Sequence, residues 1–97
     1  MPNDKIKIHF YGTLHEYFPD EKYNIEIKKK EGDLQFCQLI NALQEKFGER
    51  IGKIWNENQQ RLQVGVLCLC GNRKITDPKD LIDISIDVKF IKSAPGG

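Results

Sequence analysis

Apolar and polar residues alternate with period two along Lys5-Ile6-Lys7-Ile8-His9-Phe10-Tyr11. That spacing predicts a half-buried strand with Ile6, Ile8 and Phe10 facing inward. Residues 12–20 carry turn chemistry at Gly12, Pro19 and Asp20. Alternation resumes over residues 23–28 and predicts the second strand of a hairpin, closed by Lys28-Lys29-Lys30-Glu31-Gly32. Asp33 is suited to cap a helix over residues 34–47. Within it Phe36, Ile40, Leu43 and Phe47 recur at helical spacing, Leu39 widens the stripe, and Gly48 is a C-terminal stop.

Beyond the helix the pattern is mixed. Ile51, Ile54 and Trp55 fit either one apolar helical turn or a loop, and residues 56–60 read as a solvated loop. Residues 62–70 form an almost unbroken apolar run rich in β-formers, which predicts a central strand buried on both faces. Gly71-Asn72 is a tight-turn dipeptide, residues 73–76 a brief extended piece, and residues 77–80 a turn. Leu81-Ile82 is expected under the sheet, and Ile84, Ile86, Val88 and Phe90 alternate as a last strand. The order β-β-α-β-β-β suits a mixed sheet with a helix on one face. The expected class is α+β, the β-grasp or ubiquitin-like arrangement: four to five mixed strands and one main helix packed on one face.

Ninety-seven residues make one small domain. Residues 1–91 are expected as that domain and residues 92–97 as a flexible C-terminal tail. A net charge of +1 gives no basic footprint for nucleic acid and no strong pull toward an anionic membrane. No apolar run approaches the ~20 residues that span a bilayer, and Met1-Pro2-Asn3-Asp4-Lys5 lacks the apolar stretch of a signal peptide. With an odd count of three cysteines, a reducing, cytoplasmic location is expected.

Candidate chemistry concentrates at the C-terminus, Ser93-Ala94-Pro95-Gly96-Gly97. At average glycine usage a Gly-Gly end arises by chance in roughly 0.5% of chains. Glycine threads where a Cβ would clash and leaves the terminal carboxylate sterically open, so the tail suits presentation of Gly97 to another protein's active site. A frayed terminus is the plainer reading.

Elsewhere the signals are weaker. Cys68 and Cys70 share one face of a strand and read as buried, inert thiols, because no Cys or His pair completes a metal set at familiar spacing. Cys37 is expected in the core. His9 is expected at solvent or a sheet rim and His15 in a turn, neither with an evident carboxylate partner. Lys28-Lys29-Lys30 is either a solvated hairpin end or a dock for an acidic partner. Trp55 is either a loop anchor or an exposed contact. Phe10, Val66 and Phe90 are candidates for an apolar partner surface on the open face of the sheet, with plain core as the alternative.

The opening residues 6–18, the Cys70-Gly71-Asn72 turn, the final strand and the Gly-Gly tail together resemble the ubiquitin-like sulfur carriers, most of all the small subunit of molybdopterin synthase. The chain departs from that pattern at Leu81-Ile82-Asp83-Ile84-Ser85 and in carrying Pro95 alone beside the glycines. The resemblance implies that an ATP-dependent ubiquitin-activating-like adenylyltransferase adenylates Gly97 and that sulfur then converts it to a thiocarboxylate. It implies a large molybdopterin synthase subunit as second partner, with Ala94, Pro95 and Gly96 threading its tunnel. The chain itself has no phosphate-cradling loop followed by Lys and Ser/Thr, so ATP belongs to the partner and no cofactor is expected here. Gly97 is then a reactant, and the chain a sulfur-donating subunit without a catalytic site of its own. A protein modifier, a carrier for tRNA thiolation or the thiamin pathway, and a non-catalytic interaction domain are the alternatives.

Overall fold

The computed structural model of the chain describes residues 4–27 and 34–93. Lys28, Lys29, Lys30, Asp33 and the tail Ala94, Pro95, Gly96 and Gly97 lie outside the described residues. In chain order the strands are β1 (Asp4–Gly12), β2 (Tyr23–Ile27), β3 (Leu34–Gln35), β4 (Trp55–Asn56), β5 (Arg61–Leu62), β6 (Val66–Cys70), β7 (Arg73–Ile75), β8 (Leu81–Ile82) and β9 (Val88–Lys92). One helix, α1 (Phe36–Phe47), follows β3, and 3₁₀ segments cover Thr13–Glu16 and Gly48–Lys53. Among the described residues, β2-β1-β9-β6-β7 form a five-stranded sheet. Its central pair, β1 and β9, is parallel, and the other pairs are antiparallel. This is the β-grasp arrangement. No described helix is long and apolar enough to cross a membrane.

Period two decides which side chains meet the helix. Ile6, Ile8 and Phe10 of β1, Val88 and Phe90 of β9, and Cys68 and Cys70 of β6 are all buried on the covered face. The α1 stripe Phe36, Leu39, Ile40, Leu43 and Phe47 closes over them. Phe10 is the hub, its ring stacked on Phe18 at 3.9 Å and on Phe90 at 5.5 Å. Phe47 meets it edge-on at 5.9 Å, and Tyr23 does so at 5.7 Å. Such offset and edge-to-face contacts add to the transfer free energy of burying the rings.

Several boundaries differ from expectation, each for a local reason. Leu34 and Gln35 do not begin the helix; they pair with Ile82 and Leu81 as a short strand. The first helical amides, of Phe36 and Cys37, donate instead to the carbonyls of Asp80 and Pro78 at 2.8 Å each. Gln38 Oε1 accepts from the Gln35 amide at 2.8 Å, a capping-box contact.

The run 62–70 is not one strand. Leu62 pairs with Trp55 in a small hairpin that the polar pattern had hidden, and β6 starts only at Val66. Nor is β6 buried on both faces, since Leu67 and Leu69 are only half-buried. The last strand begins at Val88, because Asp83 Oδ1 accepts from the Ser85 amide at 2.9 Å and from its hydroxyl at 2.6 Å. That turn leaves Ile84 half-buried and Ile86 exposed. Trp55 is an anchor, 3% exposed and set edge-on against Phe36 at 5.5 Å. Cys37 is half-buried rather than core, lying beside the apolar stripe of α1.

Candidate functional site

Strand β9 carries the chain toward its C-terminus between two neighbours. On one side Phe10, Tyr11 and Gly12 pair in parallel with Phe90, Ile91 and Lys92. On the other, Cys68, Leu67 and Val66 pair antiparallel with the same three residues. Lys92 is the last residue held on both sides. After Gly12 the first strand gives way to the 3₁₀ turn at Thr13, and before Val66 the chain turns at Val64–Gly65, so lateral support ends there.

The sheet face away from α1 is uncovered. Its row nearest the end of β9 is Tyr11–Ile91–Leu67, and the next is His9–Lys89–Leu69–Lys74. Tyr11 is 40% exposed, Ile91, Leu67 and Leu69 are half-buried, and Lys89 and Lys74 are exposed. An apolar strip edged by lysines therefore lies beside the outgoing chain.

The residues expected there are not the ones that form it. Phe10 and Phe90 are fully buried, because they point to the helix side with Ile6, Ile8 and Val88. Val66 shares their face and is half-buried only because it sits at the sheet end, packed against the core. The exposed patch consists of the alternate positions. The signal was already in the alternation: if Phe10 and Phe90 face inward, Tyr11 and Ile91 must face outward.

His9 has a carboxylate partner after all, 78 residues away: its Nε2 lies 2.7 Å from Asp87 Oδ2. Its Nδ1 is 3.1 Å from the carbonyl oxygen of Glu21, so a neutral ring donates one of these bonds and a protonated ring both. The His9 hydrogen bond, with the charges of His9, Lys7 and Lys22, holds the Asp87 carboxyl below its ordinary range. His9 also stacks beside Tyr11, with 6.1 Å between ring centroids, so this polar pair abuts the apolar strip. Cys68 and Cys70 are buried free thiols. Burial, then the neighbouring Cys70, pushes the Cys68 thiol up, which keeps it protonated and unreactive.

On the opposite flank of the chain end lies a groove of about 620 Å³ lined by Leu14, Tyr17, Val64, Lys92 and others. Val64 stands 84% exposed at its rim, and the Lys53 ammonium sits 4.6 Å over the Tyr17 ring. Among the described residues, this end of the molecule offers apolar surface on both flanks of the outgoing chain.

By sequence, no family model matches the chain, and no curated protein matches it. By structure it is similar over nearly its whole length to solved β-grasp proteins. SAMP1 from Haloferax volcanii superposes with a TM-score of 0.73 at 11% identity, covering 96% of this chain and 99% of that one. A chain of the BexX/CysO complex from Amycolatopsis orientalis gives 0.68 at 7% identity, covering 95% and 99%. Urm1 from Trypanosoma brucei gives 0.66 at 16% identity, covering 98% and 97%. At these identities the likeness establishes the ubiquitin-like fold. The class of the molecule is thus a ubiquitin-like β-grasp domain.

Proposed function

We propose that this domain is a ubiquitin-like sulfur carrier acting through the carboxylate of Gly97. The supporting observation is the position of the chain end: β9 runs out at Lys92 beside the uncovered Tyr11–Ile91–Leu67 strip. A partner that grips the strip is at the same time beside Lys92, where the sheet releases the chain. The lysines at its edge favour a partner surface that is apolar at its centre and acidic around it.

A carboxylate is a poor acyl electrophile and requires activation. A Gly97 oxygen attacks the α-phosphorus of ATP in the partner's site, and pyrophosphate leaves. A persulfide sulfur of the sulfur-donating partner then attacks the acyl carbon and AMP leaves. A thiol cleaves the resulting acyl disulfide, being itself oxidised to a disulfide, and the thiocarboxylate remains. Delivery of that sulfur in a molybdopterin synthase large subunit, with the domain as small subunit, is the pathway we assign. Conjugation to lysine amines is a second reading, favoured by the fold's similarity to H. volcanii small archaeal modifier protein 1.

Intact-mass measurement after co-expression with the adenylyltransferase tests the reading. One oxygen-to-sulfur exchange at Gly97 is expected, and it should vanish when the last two residues are removed. Unchanged mass under conditions that charge a known carrier overturns it. Isopeptide-linked adducts without the thiocarboxylate select the modifier reading.

A further inference from the structure

The root of the C-terminal segment is held in an unusual way. Gly12 pairs with Lys92 across the parallel β1–β9 ladder, and its backbone sits at φ 72° and ψ −140°, a region essentially confined to glycine. A Cβ placed there would lie 2.0 Å from the Lys92 carbonyl oxygen and 2.9 Å from its carbon. That distance is far inside van der Waals contact, and the obstructing atoms are backbone, so no side chain can swing aside. The next residue completes the seat: the Thr13 hydroxyl donates to the same Lys92 oxygen at 3.3 Å.

We propose that Gly12 and Thr13 are positioning residues that set the direction in which the C-terminal residues leave the domain. This inference rests on the carrier reading. The Lys92–Ser93 peptide is planar, so holding the Lys92 oxygen fixes that plane and the direction in which Ser93 leaves the sheet. Where a partner's site holds Ser93 to Gly97 extended, over about 17 Å, an error of about 20° at the root would displace the carboxylate by about 6 Å. Acyl transfer in a partner's site tolerates far less, because misplacement of about 1 Å can cost 10²-fold. Docking through the Tyr11–Ile91–Leu67 strip is a separate matter, since Gly12 and Thr13 contribute no side chain to that row. The two residues should therefore act on turnover and leave affinity alone.

Steady-state thiocarboxylation by the adenylyltransferase and sulfur donor, on the full chain, tests this with Gly12→Ala, Thr13→Val and Thr13→Ser. Thr13→Val should lower kcat severalfold with KM unchanged, Thr13→Ser should restore it, and Gly12→Ala should lower kcat about tenfold. Residual dipolar couplings across the Lys92–Ser93 peptide provide an enzyme-independent measure of chain direction at the root. They should change in Thr13→Val and return in Thr13→Ser, while couplings in the rest of the sheet stay as in wild type. Unchanged kcat, or a loss confined to KM, overturns the proposal, as do unchanged couplings. A wild-type chain that is never charged overturns the carrier reading, and the couplings then decide the directing role alone.

Discussion

The two faces of the sheet are built from the same strands, often from adjacent residues, yet serve opposite ends. Toward α1 lie Phe10, Phe90, Cys68 and Val88, all 0% exposed. Toward solvent lie Tyr11, Ile91, Leu67 and Lys89, half-buried or exposed. Since successive side chains of a strand point to opposite faces, a step of one residue separates a position that holds the fold from one available to a partner. Apolar character alone does not distinguish them. Phe10 and Tyr11 are both aromatic, and only the helix on one side makes the first a core hub and the second a surface residue.

The largest test of this division is Phe10→Ala. Deleting the hub ring should cost about 4 kcal/mol of stability, or roughly 15–30 °C in melting temperature for a domain of this size. A melt shifted by only a few degrees would show that the aromatic cluster is not the centre of the core.

Leu67→Asp places a charge in the open strip and should do the reverse. The melt should move little, while calorimetric titration with the adenylyltransferase should show Kd raised about thirtyfold. Wild-type affinity in that variant would mean that partners grip another surface, and collapse of the fold would mean that the open face is structural.

The smallest effect is expected at the polar border of the strip. The Asp87 carboxyl is held below its ordinary value of 3.8 by His9. The stability it contributes is therefore complete above the ordinary value and lost as pH falls through the lowered one. The pair is partly open to solvent, with His9 19% and Asp87 44% exposed, so Asp87→Asn should cost only about 0.5 kcal/mol near neutrality. Denaturant melts from pH 7 down to pH 2 should show that difference closing in acid. A difference independent of pH would remove the His9–Asp87 contact from the account.

The contrast between the faces was partly legible in the residues. Alternation in β1 identified Ile6, Ile8 and Phe10 as inward positions, and the heptad-like stripe from Phe36 to Phe47 identified the helix that covers them. The same alternation, read one residue further, points to Tyr11 and Ile91. Phe10 and Phe90 share the parity of Ile6, Ile8 and Val88, which puts them with the core rather than on the open face. The β3–β8 and β4–β5 pairs were not legible, because a two-residue strand has no period to detect and exists only where a distant partner meets it. His9 and Asp87 likewise gave no local signal, standing 78 residues apart until the parallel pairing of β1 with β9 brings them together.

What the sequence determined by itself was the class of fold, the main helix with its apolar stripe and the parity of each regular strand, since these follow from local periodicity and the sterics of turn residues. Tertiary structure alone decided which face the helix covers, and so which apolar residues remain available to a partner. It also decided that Gly12 meets the Lys92 carbonyl. In the chain Gly12 is only a turn glycine after a strand. The close approach that makes its missing Cβ matter arises when the ends of β1 and β9, 80 residues apart, run side by side.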